Sequence, residues 1–216
     1  MIGLIFVHGI GNKFNYPGWS KNIPKLLDKE IFTSTEYLWN DILQKKEDDI
    51  LNHLFPMPKS PGAMVNYFAR KTVFSYAMDA TLYDQNRGEL LIGLHEVNKK
   101  VSESVDKVIL VGYSLGTWIA YDYLRQYNSS NIVAYISLAC NIPLHFGIDL
   151  EDPKIPWVNY WENSDVLSMP LKQDFIEDIE YKSNSTVFGW NFSAHLSFMY
   201  DNKFSKIFKD KILELV

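Results

Sequence analysis

The sequence predicts an α/β protein with a mostly parallel central sheet and helices on both of its faces. Strand-like apolar runs alternate with helix-like segments along the chain, which is typical of a parallel sheet covered on two sides. Two of the runs, residues 2–7 and 108–111, read as buried strands and lead straight into glycine-containing turns. The second turn opens directly into a helix-like segment, so strand, turn and helix follow one another without a long linker.

The elements follow from composition and spacing. Aromatic and β-branched residues mark the later strands, and apolar residues at helical spacing mark the helices. The predicted strands are residues 2–7, 108–111, 132–138 and 156–161, and the predicted helices are residues 89–104, a segment from 117 and a terminal amphipathic segment after His195. An excursion from residue 12 to 71 contains a proline-punctuated stretch, residues 56–62, that we interpret as a loop.

Length and composition limit the possible classes. A chain of 216 residues with 47% hydrophobic residues fits one domain, residues 1–216, with a single sizeable core. A net charge of −5 without a basic stripe argues against nucleic acid as a partner. Its one cysteine, Cys140, ends an apolar strand and is expected to be a buried thiol. No secretory signal and no membrane-spanning run is visible, so we expect a cytoplasmic protein.

Residues 112–116, GYSLG, follow the strand at 108–111 and form the most informative motif. A serine between a strand and a helix must take a strained backbone conformation. Gly112 and Gly116 remove the Cβ atoms that would clash in such a turn. The turn is expected to expose the Ser114 hydroxyl beside the positive end of the next helix. Ser114 is therefore the candidate nucleophile for acyl chemistry.

Residues 8–11, HGIG, follow the first strand and form a second motif. Acyl transfer generates an oxyanion, which preorganised backbone N–H groups stabilise. We assign one donor to Leu115, the residue after the nucleophile, and by motif position the other to Ile10. Gly9 and Gly11 would let this loop approach the substrate closely. His8 is interpreted as a support that holds the loop by hydrogen bonding, and not as the general base.

With these two motifs the sequence resembles the α/β-hydrolase superfamily, as a small serine esterase or lipase-like member. The resemblance implies a compact fold without a large cap domain, because residues 141–155 are too few for a helical lid. It also implies the chain order serine, acid, histidine, with the last two residues on loops after late strands. An uncapped site is expected to be open.

The chain order selects the remaining candidates. Asp165 lies a few residues past the strand at 156–161 and is preferred as the acid, with Glu162, nearer the strand end, as its rival. His145 precedes both acids, whereas His195 follows them in a loop-like stretch before the terminal helix. His195 is therefore the candidate base.

The resemblance implies cleavage of a carboxylic ester through an acyl-enzyme on Ser114, with a small-molecule or lipid-like acyl ester as substrate. The same residues would also serve a lipase or phospholipase, a thioesterase or an amidase, so these activities remain alternatives. A further alternative is a binding module that kept the fold but has no catalytic turnover. No cofactor and no metal is expected. His95 lacks a second histidine at the spacing of a zinc-binding helix.

Overall fold

In a computed structural model, the backbone is described for residues 1–9, 31–39, 61–127, 129–165, 167–183, 194, 195, 198 and 201–216, and side chains are described for these residues except 61–79. Six strands and four helices lie within these ranges. The strands are β1 (Ile2–Val7), β2 (Phe32–Tyr37), β3 (Lys107–Tyr113), β4 (Ile132–Leu138), β5 (Trp157–Trp161) and β6 (Ile176–Glu180). The helices are α1 (Pro61–Ser102), α2 (Gly116–Gln126), α3 (Pro143–Phe146) and α4 (Asn202–Glu214).

The strands form one sheet in the order β2-β1-β3-β4-β5-β6, and every neighbouring pair is parallel. Val7 pairs with Tyr37 on one side and with Gly112 on the other. Because parallel strands share their direction, the segments that follow β1, β2 and β3 all start at the carboxyl ends of the strands, on the same side of the sheet. Both sequence motifs lie at these carboxyl ends.

Side chains that alternate along β1 enter two separate cores. Ile5 and Val7 belong to the cluster that includes residues of α1 and α2, whereas Leu4 and Phe6 belong to the cluster that includes residues of α4. All four side chains are fully buried, and each large apolar side chain removed from water contributes about 1.5–3 kcal/mol. Helices therefore cover both faces of the sheet, as the sequence predicts.

The predicted strands at 2–7, 108–111, 132–138 and 156–161 are confirmed, with small shifts at their ends. The two edge strands were not predicted, because β2 (FTSTEY) and β6 (IEDIE) are rich in polar residues. An edge strand has one neighbour and is partly exposed, so its sequence carries a weaker apolar signal.

The interpretation of residues 56–62 as a loop is wrong at its end, because α1 begins at Pro61. Proline is well tolerated in the first turn of a helix, where its missing N–H would have no partner. The helix then runs to Ser102, so it also includes residues 61–71 of the predicted excursion. Residues 56–60 lie outside the described residues.

Candidate active site

The turn between β3 and α2 has the strained geometry that its motif predicts. Ser114 has φ of +51°, in the left-handed region that a non-glycine residue seldom adopts. Its amide donates to the carbonyl of Leu138 at the end of β4, at 2.9 Å. Its carbonyl accepts from the amide of Thr117 at 2.9 Å and from the Thr117 hydroxyl at 2.6 Å. These bonds fix the backbone of Ser114 to the neighbouring strand β4 and to the helix α2 that follows it.

Two glycines let the motifs approach each other closely. A Cβ atom on Gly116 would lie 2.1 Å from the carbonyl oxygen of Val7 and 2.4 Å from that of His8. A Cβ atom on Gly9 would lie 2.7 Å from the Cβ atom of Ser114. The segment after β1 therefore packs against the turn at distances that larger residues would prevent.

Gly112 lies on the other side of the turn, where a Cβ atom would be 2.8 Å from the Cα atom of Thr117. Leu115 is fully buried and immediately precedes α2, so its amide belongs to the N-terminal end of that helix. Ile10 and Gly11, predicted in the oxyanion loop, lie outside the described residues.

Ser114, His195 and Asp165 form a continuous chain of hydrogen bonds. Nε2 of His195 lies 2.9 Å from Oγ of Ser114, and Nδ1 of His195 lies 2.7 Å from Oδ2 of Asp165. A carboxylate can only accept, so Nδ1 is the donor in the contact with Asp165, and the other ring nitrogen, Nε2, faces the serine hydroxyl. The sequence separation between the serine and the histidine is 81 residues.

All three residues are buried, with exposed fractions of 3% for Ser114, 5% for His195 and 3% for Asp165. The expectation that the turn leaves Ser114 exposed is therefore wrong. Gly9 packs against its Cβ atom, and the imidazole of His195 contacts its hydroxyl. Low exposure reduces competition from water for the hydrogen bonds of the three side chains.

Asp165 occupies the loop after β5, as predicted. Its amide donates to the carbonyl of Glu162 at 3.0 Å, and its Oδ1 accepts from the amide of Leu167 at 3.0 Å. The other carboxylate oxygen is thereby directed to His195. The carboxylate of the rival acid, Glu162, accepts from the hydroxyls of Ser164 and Ser183 at 2.9 and 2.6 Å. Glu162 thus joins the loops after β5 and β6.

The other histidines near the motifs have structural contacts. Nε2 of His8 lies 3.6 Å from Oε2 of Glu36, and its carbonyl accepts a hydrogen bond from Trp39. His145 stacks on the indole of Trp118 at 4.3 Å, and its Nε2 lies 3.3 Å from Oδ1 of Asp84. Neither set of contacts resembles the hydrogen-bonded chain at His195.

Two aromatic residues that support the site were not predicted. The hydroxyl of Tyr113 donates to the carbonyl of His195 at 2.9 Å, and the indole N–H of Trp39 donates to the carbonyl of His8 at 2.6 Å. The position of Tyr113 inside the GYSLG motif was a usable signal. Trp39 follows the polar strand β2, so no local pattern places it beside the first motif.

Within the described ranges, no three His, Cys, Asp or Glu side chains lie together as a metal ion would require. No helix in those same ranges is long and apolar enough to cross a membrane.

Comparison with protein-family models found no match, and comparison with curated proteins found none. Among solved structures, this chain is similar to a lipase-esterase related protein from Clostridium acetobutylicum, with a TM-score of 0.51 and 14% identity over 100% of this chain and 94% of that one. It is also similar to a protein described as a YdeN-like hydrolase from Pectobacterium atrosepticum, with a TM-score of 0.43 and 12% identity over 95% of this chain and 91% of that one. The first similarity, together with the six-stranded parallel sheet, identifies the chain as having an α/β-hydrolase-like fold.

Proposed function

We propose that this chain is a serine hydrolase that cleaves carboxylic esters through an acyl-enzyme on Ser114. The observation that carries the proposal is the chain of hydrogen bonds from Ser114 Oγ through His195 to Asp165, at 2.9 and 2.7 Å. A serine hydroxyl is a weak nucleophile at its own pKa and needs a neutral imidazole to accept its proton. In the tautomer in which Nδ1 donates to Asp165, Nε2 can accept that proton.

In the first half of the reaction, Ser114 Oγ attacks the ester carbonyl carbon while its proton passes to Nε2 of His195. The carbonyl oxygen becomes an anion, for which the backbone amides of Leu115 and Ile10 are the proposed donors. Asp165 stabilises the imidazolium without taking up its proton. The C–O bond to the leaving alcohol then breaks, and His195 gives its proton to that alcohol.

In the second half, water attacks the acyl carbon and passes a proton to His195. The bond between the acyl group and Ser114 Oγ breaks, the serine recovers the proton, and a carboxylic acid leaves. No cofactor takes part in either half. The proposed substrate is a small-molecule or lipid-like acyl ester.

Two measurements test the proposal. A fluorophosphonate probe should modify the wild-type protein on the peptide that contains Ser114, and the protein should hydrolyse p-nitrophenyl esters. Ser114→Ala should abolish both signals. Ser205→Ala is the matched control, because Ser205 is a similarly buried serine in α4. Ser205→Ala should keep both the labelling and the ester hydrolysis.

A panel of p-nitrophenyl esters of increasing acyl length, with a thioester and an anilide of the same acyl group, then separates the substrate classes. A preference for short oxygen esters supports the esterase proposal. Absence of labelling and turnover in folded wild-type protein would instead indicate a binding module that retains the fold.

A further inference from the structure

We propose that Trp39, together with Glu36, is a positioning residue for catalysis, which holds the His8–Gly9 segment against the nucleophile turn. This inference rests on the proposed serine hydrolase function. Neither residue belongs to the chain of hydrogen bonds at Ser114. Both act through His8.

Trp39 lies two residues past the end of β2, and its side chain is fully buried. The indole N–H can only donate, so a buried tryptophan requires an acceptor. That acceptor is the carbonyl oxygen of His8, at 2.6 Å. The parallel pairing of Val7 with Tyr37 brings these two positions to the same edge of the sheet.

Glu36 gives a second contact from the same strand. Its Oε2 lies 3.6 Å from Nε2 of His8, at a side-chain exposure of 28% for Glu36 and 11% for His8. The His8 main chain is therefore held by the hydrogen bond from Trp39, and its imidazole lies beside a carboxylate of β2. The hydrogen bond limits how far the His8 main chain can shift at this end of the sheet.

The same segment also lies against the nucleophile turn. The same His8 carbonyl would lie 2.4 Å from a Cβ atom on Gly116, and a Cβ atom on Gly9 would lie 2.7 Å from the Cβ atom of Ser114. The His8 carbonyl thus accepts from Trp39 and lies close to Gly116, while Gly9 lies close to Ser114. We therefore expect a change at Trp39 to alter the position of this segment beside Ser114.

The chemical consequence concerns the oxyanion. The proposed donor amide of Ile10 follows Gly9 directly in the chain. Such donors act because they are oriented before the reaction begins, and loss of one lowers kcat by about 10²–10³-fold. Loosening the segment that leads to the donor should cost less than removing it, about tenfold. The loss should fall on transition-state binding and leave ground-state binding unchanged.

The test compares Trp39→Phe with Tyr37→Phe. Each variant removes one buried side-chain hydrogen-bond donor at the end of β2. The Tyr37 hydroxyl, however, donates to the carbonyl of Leu90 in α1, at 2.7 Å, and not to His8. For Trp39→Phe we expect kcat on a p-nitrophenyl ester to fall about tenfold with KM unchanged. The affinity for a trifluoromethyl ketone, which forms an oxyanion when Ser114 adds to it, should fall by the same factor. Tyr37→Phe should lower the melting temperature but leave kcat and the affinity for the trifluoromethyl ketone unchanged.

Equal kcat in the two variants would overturn the inference. If wild-type protein is labelled at Ser114 and Trp39→Phe is labelled at the same rate, only this inference fails. If wild-type protein is not labelled, the proposed function fails and the inference fails with it. Should Trp39→Phe not fold, Glu36→Gln decides. It removes the negative charge beside the His8 imidazole and should lower kcat by about twofold to fivefold, and unchanged kcat would contradict the proposal.

Discussion

The Tyr113 hydroxyl donates a hydrogen bond to the main-chain carbonyl of His195 at 2.9 Å, and the two rings lie 5.3 Å apart. Tyr113 immediately precedes Ser114 in the chain. The residue next to the proposed nucleophile therefore also holds the backbone of the proposed base. The turn between β3 and α2 therefore fixes Ser114 through its own backbone and His195 through the side chain of Tyr113.

Replacing Tyr113 by phenylalanine should reduce turnover more than stability. Without the hydroxyl, the His195 backbone loses a fixed contact, and small displacements of a catalytic group cost about tenfold to a hundredfold in rate. We expect kcat to fall within that range in a p-nitrophenyl ester assay, with KM unchanged. The loss of one hydrogen bond should lower the free energy of unfolding by about 1 kcal/mol.

Tyr160→Phe is the matched control. The Tyr160 hydroxyl is also buried, but it has no hydrogen-bond partner among the described residues. Removing an unpaired buried hydroxyl should leave kcat unchanged and leave stability equal or higher. A similar loss of kcat in both variants would contradict the role of Tyr113.

The two acids after β5 should respond differently to amidation. Asp165→Asn removes the acceptor that orients His195 and should lower kcat by about 10⁴-fold, as in triads where the wrong histidine tautomer results. Glu162→Gln keeps a side-chain carbonyl for Ser164 and Ser183 and should retain kcat, with a loss of about 1 kcal/mol in stability. Steady-state kinetics and urea unfolding of both variants check this. The reverse pattern would identify Glu162 as the acid.

Much of this architecture could be predicted because its signals are local. The run at 108–111 is apolar, and the serine that follows it is bounded by glycines, so the strand, the turn and the start of α2 follow from adjacent residues. Strand β2 could not be found in this way, because four of its six residues are Thr, Ser or Glu and its stability comes from pairing with β1.

Contacts between distant segments were even less accessible to prediction. The Trp39 indole meets the His8 carbonyl across 31 positions of sequence, and the Tyr113 hydroxyl meets the His195 carbonyl across 82. Both acceptors are backbone atoms, which every residue type possesses. The sequence therefore indicates which side chains can donate, but not which carbonyl the fold brings to them.

Gly116→Ala should destabilise the protein because the added Cβ would meet the carbonyl oxygens of Val7, at the end of β1, and of His8, at 2.1 and 2.4 Å. Backbone atoms cannot rotate away as a side chain can, so α2 or β1 must shift. We expect a loss of about 1–3 kcal/mol in the free energy of unfolding, measured by urea denaturation.

Gly88→Ala provides the control for that substitution. Gly88 lies inside α1, and a Cβ atom there would meet nothing within 4 Å. Alanine is the better helix former, so stability should rise by about 0.5–1 kcal/mol. If both alanine variants changed stability equally, the close approach at Gly116 would not be the cause.

Cys140 should make stability depend on alkaline pH. It is fully buried, as the sequence predicts, and burial raises the pKa of its thiol from the usual value near 9 to about 12. In the unfolded chain the thiol ionises first, so its contribution to stability is complete below pH 9 and is lost as the pH rises toward 12. The expected slope is about −1.4 kcal/mol per pH unit in that window.

The slope is measured as the difference between wild type and Cys140→Ala, because tyrosines ionise in the same range and affect both proteins. Urea unfolding at several pH values from 8 to 11, in a buffer with reductant, gives the two curves. The alanine variant loses apolar contacts and should be less stable at pH 8, and the gap between the proteins should narrow as the pH rises. A gap that stays constant would show that the thiol has an ordinary pKa in the folded protein. At pH 8 the neutral thiol should also resist iodoacetamide until urea unfolds the chain, because the thiolate is the nucleophile in alkylation.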